Sequence, residues 1–259
     1  MALGGALVTI YYNIDAVMLS KLDTFRAVGI YGIGYKFAGI VNFVPQALTV
    51  AVLGLLVRSW PHDPDTFWST LRRATALVGL CGVLVLVEFG LFAGPAIRLL
   101  YGERYVQGAD AARLVVAGSC VAFFTQLGLT ILVAMGRDRL YPLAGAIGVA
   151  ANVGLNLFLI PAYSYRGAAW ATLITELLVS TALWIPVVRL ADRPVIPVAQ
   201  LAKAAVAGGV AAGCAALTYA VAPWLLAAVV GLVVYALLLH AARIPGPEGL
   251  RSLLNEAAA

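Results

Sequence analysis

Four ionisable side chains stand where their surroundings carry none. Asp15 interrupts the apolar stretch YYNIDAVMLSKL, Lys36 follows Tyr35 in GIGYKFAG, Glu88 lies in LVLVEFGLF and Glu176 in ATLITELLV. A carboxylate in oil takes up a proton or a cation, or pairs with a donor. An ammonium there seeks an anion such as a phosphate. A charge near mid-bilayer costs at least a few kcal/mol, so each of these positions is a functional candidate by default. Lys36 is also long enough to snorkel towards an interface, and Glu88, near the middle of its span, suits a protonated acid.

Neutral polar residues follow the same logic. At 100° per residue, positions four and seven apart share a helix face. Tyr31, Tyr35, Asn42, Gln46 and Thr49 make one stripe; Ser119, Gln126 and Thr130 a second; Asn152 and Asn156 a third; Thr172, Glu176 and Ser180 a fourth. A polar stripe on an apolar cylinder faces other helices or water. It serves as interhelical hydrogen-bond glue, at about 0.5–2 kcal/mol per bond, or lines a hydrated cavity.

The elements that carry these stripes are membrane spans. Of the 259 residues, 63% are hydrophobic and 11% charged, against about 25% charged in soluble domains. Mean hydropathy is +0.96. A helix needs about 20 apolar residues to cross the bilayer core, and eight stretches qualify: roughly 2–21, 28–57, 74–98, 111–135, 141–162, 167–189, 200–221 and 223–242. The second carries Pro45, which predicts a kink. The predicted fold class is therefore an all-α polytopic membrane protein of about eight transmembrane helices. Ten Lys and Arg fall on the side of the termini, six on the other, and Lys36 lies within a span. The positive-inside bias then puts both termini in the cytoplasm.

Other chemistries are poorly served. Cys81, Cys120 and Cys214 sit far apart in apolar runs and read as core residues. The two histidines, His62 and His240, do not make a metal centre with them, so no metal and no cofactor is expected. The basic residues are scattered over short gaps, which argues against nucleic acid. No connection exceeds about 15 residues, leaving no room for a soluble catalytic domain. An enzyme is not expected.

One stretch, YNIDAVMLSKLDTFRAVGIYGIGYKFAGIVNFVPQAL, resembles the opening of the C-terminal lobe of polysaccharide (O-antigen type) flippases, members of the multidrug/oligosaccharidyl-lipid/polysaccharide exporter superfamily. The residues that carry the resemblance are Asp15, Leu19, Val28-Gly29-Ile30-Tyr31, Tyr35 and Pro45. LLYGERYVQGADAARLV and NVGLNLFLIPAYSYRGAAWATLITE follow in the family's order. Asn13 departs from the family pattern, where a basic residue often stands. The resemblance implies a second six-helix lobe over 1–190, two additional transmembrane helices over 191–243 and a cytoplasmic tail over 244–259. It also implies a facing N-terminal lobe, supplied elsewhere or by a second transporter chain.

The activity implied is flipping of an undecaprenyl-diphosphate-linked oligosaccharide across the bacterial inner membrane for surface polysaccharide (O-antigen, lipopolysaccharide) biosynthesis. Partners would be that lipid-linked oligosaccharide and membrane lipids. Lys36, Tyr35, Asn42, Gln46, Gln126, Asn152 and Asn156 are the expected substrate-binding residues; Asp15 and Glu176 are the expected ion-coupling residues. Asp15 and Lys36 each lie about two turns from the connection near 22–27, which predicts that they share a depth or pair. A multidrug-type efflux transporter of the same superfamily, or a non-transporting membrane scaffold, are the alternatives.

Overall fold

The computed structural model describes residues 14–244, and all of its regular structure is helical. The early part of the predicted first span and most of the predicted tail lie outside those residues. Helix α1 is described over 14–22. Then come α2 (Phe25–Val41), α3 (Phe43–Ser59), α4 (Pro64–Tyr101), a short 3-10 turn (Glu103–Gly108), α5 (Ala109–Ala134), α6 (Leu140–Leu190), α7 (Val198–Tyr219) and α8 (Trp224–Ala241).

Local chemistry sets the boundaries. Thr24 caps α2, its hydroxyl accepting from the Ala27 N–H at 3.3 Å. Pro45 has no N–H for the carbonyl of Val41, and its ring crowds that carbonyl. The helix accordingly breaks at Asn42, and α2 and α3 bend by 41°, as the proline predicts. Asp63 caps α4 by accepting from the Thr66 N–H at 3.0 Å, with Pro64 in the first turn. Residues 64–73, which read as a polar gap in the sequence, are helical. They bury Phe67, Trp68 and Leu71 and keep Arg72 and Arg73 exposed.

Helix α6 is two arms. Ser164 has φ 56° and ψ −138°, and the chain reverses there. The reversal follows from contacts: Asn156 and Thr172, sixteen positions apart, both bond to Asp15. In a straight helix they would be ~24 Å apart. At the reversal the arms are so close that a Cβ on Gly167 would stand 2.0 Å from the carbonyl oxygen of Leu159. The arms, 140–163 and 165–190, are ~36 and ~39 Å long at 1.5 Å per residue, enough for a ~30 Å bilayer core.

Among the described residues five helices are long and apolar enough to cross a membrane, and the bent α2–α3 pair makes a sixth. α6 counts once there and, folded back, contributes two crossings. These make seven of the eight expected spans; most of the first lies outside the described residues. One large core joins α3, α4, α5, α6, α7 and α8; a smaller one holds α1, α2, α5 and the reversal of α6, around Leu19, Tyr31, Val115 and Ile160. Ala and Gly at these contacts let backbones approach, as membrane helix packing requires. Phe43, Phe158, Leu217 and Leu237, among others, face outward, where lipid tails replace water.

Candidate functional site

Asp15 is 1% exposed, and three helical segments, α2 and the two arms of α6, aim polar groups at it. Its Oδ1 accepts from Asn156 Nδ2 at 2.6 Å. Its Oδ2 accepts from the hydroxyls of Tyr31 at 2.6 Å, Thr172 at 2.8 Å and Tyr35 at 3.0 Å. The same Asn156 amide donates its second hydrogen to Asn152 Oδ1 at 2.9 Å. The i,i+4 spacing of Tyr31 with Tyr35 and of Asn152 with Asn156 puts each pair on one helix face. The reversal at Ser164 brings Thr172 round to meet them.

Every one of these partners is neutral. Four donors can hold a carboxylate inside a membrane protein, yet they leave its charge uncancelled. The spot is also rich in acceptors, because Asn156 Oδ1 is buried and has no hydrogen-bond partner among the described residues. Asp15, Asn152, Asn156 and Thr172 thus form an oxygen-lined pocket with net negative charge. Such a pocket suits a proton or a hard cation. No group of three or more His, Cys, Asp or Glu able to hold a metal ion occurs among the described residues.

The cluster opens into a cavity of about 190 Å³. Asp15, Tyr35, Asn42, Ser119, Asn152, Thr172 and Glu176 line it, so stripes from α2, α5 and both arms of α6 converge there. Glu176 is buried one turn beyond Thr172 and accepts from Thr125 Oγ1 at 3.3 Å.

Three expected binding residues stand apart. Gln46 is exposed on α3 and Gln126 half-buried on α5; neither lines the cavity. Lys36 is exposed on α2, next in sequence to Tyr35, and makes no hydrogen bond or ion pair among the described residues. The expected pairing of Lys36 with Asp15 does not form. The buried face of α2 carries Tyr31 and Tyr35, and Lys36 is rotated 100° from Tyr35. Glu88 lies elsewhere, its Oε1 packed against Gly231 of α8 and without a hydrogen-bond partner among the described residues. The three cysteines are free thiols.

Sequence reasoning placed Tyr31 and Thr172 on the polar stripes but did not assign them to the site. Their i,i+4 links to Tyr35 and Glu176 were the available signal. Thr125 carried none.

No family model matches the chain. It is 25% identical over 171 residues to the probable flippase AglR of Haloferax volcanii, covering 64% of this chain and 35% of that protein. It is 21% identical over 164 residues to the uncharacterized membrane protein MJ1068 of Methanocaldococcus jannaschii, covering 61% and 32%. Among solved structures, the inward closed conformation of the lipid II flippase MurJ superposes with a TM-score of 0.80 at 15% identity, covering 91% of this chain and 51% of that one. An outward-facing multidrug resistance MATE family transporter of the MOP superfamily gives 0.61 at 18% identity, covering 99% and 65%. The chain therefore shares the fold of flippases and MATE transporters. It spans about a third of the curated relatives it matches and about half of the MurJ chain, coverage that fits one lobe.

Proposed function

We propose that the chain is the C-terminal lobe of a transporter that flips an undecaprenyl-diphosphate-linked oligosaccharide across the bacterial cytoplasmic membrane for surface polysaccharide synthesis. The observation that carries this reading is Asp15: a buried carboxylate at the mouth of a polar cavity, with four neutral donors and no counter-ion among the described residues. In this reading Asp15 and Glu176 take the coupling proton or monovalent cation. Tyr35, Asn42 and Asn152 offer hydroxyl and amide partners to sugars, with Asn156, Gln46 and Gln126 outside the present cavity. Lys36 supplies positive charge for the diphosphate. Residues 1–190 form the transport lobe, and 191–243 add a helix pair with an apolar surface for the polyprenyl tail. The likeness to a lipid II flippase supports a lipid-linked cargo, and no chemical step by the protein is required.

One observation favours a second reading, efflux of small organic cations. The cavity is lined by two acids and an aromatic, Asp15, Glu176 and Tyr35, and by no Lys or Arg. The two readings part at Lys36. In a flippase-deficient cell carrying this lobe with a facing lobe, Lys36→Met abolishes surface polysaccharide under the flippase reading and Lys36→Arg keeps part of it. Wild-type polysaccharide from Lys36→Met, at equal protein level by blot, would remove the diphosphate role.

A further inference from the structure

Three layers run along the four helical segments that meet at Asp15, and they keep a strict register. At the outside stand two turns, Asp23 between α1 and α2, and Ser164 between the arms of α6. Ser164 Oγ donates to Asp23 Oδ2, while Asp23 Oδ1 accepts from the Thr24 N–H at 2.7 Å. Four residues inward along each segment lie Leu19, Ala27, Ile160 and Ala168, between 0% and 4% exposed, all in the small core. Four residues further lie Asp15, Tyr31, Asn156 and Thr172, the hydrogen-bonded cluster. Each step of four is one turn, ~6 Å.

A space lies on each side of the middle layer. Outside is one of about 590 Å³, lined in part by Asp23, Tyr163, Ser164 and Arg166. Inside is the 190 Å³ cavity at Asp15, which extends along α2 to Asn42 and along α6 to Glu176, away from the turns. Two spaces separated by one turn of apolar side chains, under a polar contact that joins two hairpins, have the construction of a gate.

We propose that Asp23 and Ser164 are the latch of a gate on the Asp15 site, and that Leu19, Ala27, Ile160 and Ala168 are its plug. With the latch made, Asp15 is reached through the Asn42–Glu176 cavity. With it released, the hairpins part and the site meets the space at the turns. Alternating exposure of one buried site to two sides is what coupled transport needs. Ser164 fits a switching element: φ 56° is a conformation that an L side chain rarely adopts, and such residues concentrate where two arrangements compete. The gate rests on the reading of Asp15 as the coupling site, but its test does not use transport.

The test is mixed-disulfide formation at Ala168→Cys in the purified 259-residue chain in detergent, with a charged methanethiosulfonate reagent that releases methanesulfinate, read residue by residue by mass spectrometry. Native Cys120, buried in the other core, is the internal control. With the latch intact the cysteine at 168 is protected. Ser164→Gly removes the hydroxyl and accepts the positive φ without strain, so it unlatches without a backbone penalty. It raises the rate at 168 about tenfold or more, leaving Cys120 unchanged. Asp23→Ala does the same, whereas Asp23→Asn, which keeps an acceptor oxygen, stays protected. Equal rates at 168 with and without the latch overturn the proposal. So does a parallel rise at Cys120, which marks general loosening. A gate that opens in this way, in a lobe that moves no oligosaccharide even when paired with a facing lobe, would sink the flippase reading and leave the gate standing.

Discussion

Asp15 holds together side chains that the sequence scatters over more than 150 positions, so its removal and the removal of one donor should differ sharply. Tyr31→Phe deletes one of four bonds to Asp15 and costs about 1 kcal/mol. Asp15→Ala strands the hydroxyls of Tyr31, Tyr35 and Thr172 and the Asn156 amide, with about 1–3 kcal/mol for each group that stays buried and unpaired. Thermal unfolding in detergent should rank wild type above Tyr31→Phe and Tyr31→Phe above Asp15→Ala. Equal midpoints for the two variants would show that Asp15 does not organise the cluster. The cost of burying a charge made Asp15 legible in the sequence. The stripes that carry its partners were legible too, but not that they meet at Asp15, because bonds spanning 141 and 157 residues have no local trace. The pairing of Lys36 with Asp15 failed for the same reason: depth can be counted along a helix, but the direction a helix turns towards its neighbours cannot.

Helix α6 gives a sharper test at the level of the element. Its arms touch at Gly167, where an added Cβ meets the Leu159 carbonyl. A backbone group cannot swing aside as a side chain can, so Gly167→Ala must splay the arms. Overpacking of this kind costs about 1–3 kcal/mol or more. A lower unfolding midpoint in Gly167→Ala is the expected result, and an unchanged midpoint contradicts the hairpin contact. A second test lies outside the membrane, at the start of α4. Hydrogen bonding from Thr66 holds the Asp63 carboxyl below its usual range. A depressed folded value means that the cap stabilises α4 at neutral pH and is lost as pH falls through that value. Amide exchange at Thr66 and Phe67 should speed up on acidification, relative to the intrinsic rate. In Asp63→Asn this extra dependence should vanish. The breaks in the chain were readable, Pro45 from its missing donor and the α6 reversal from PAYSYRG. The first turns of α4 were not, because Asp65, Arg72 and Arg73 dilute an apolar face that shows only when the helix is wound.

For the whole molecule the expectation concerns completeness of the transport path. One lobe provides one wall, and the fold it shares with MurJ occupies 51% of that chain. Expressed alone, the 259 residues should not restore polysaccharide export in a flippase-deficient cell. Co-expression with a facing lobe should. Rescue by the lone chain would mean that it completes the path by itself. The folded-back α6 has one more consequence, and it concerns synthesis. A single non-helical residue joins its arms, so no hydrophilic stretch separates them. Until the second arm leaves the ribosome, the first presents Asn152 and Asn156 with neither Thr172 nor a closed cluster beside them. The cluster therefore closes only when the second arm is in place, and a nascent chain arrested near residue 164 would hold Asn152, Asn156 and Asp15 without the Thr172 hydroxyl that completes it.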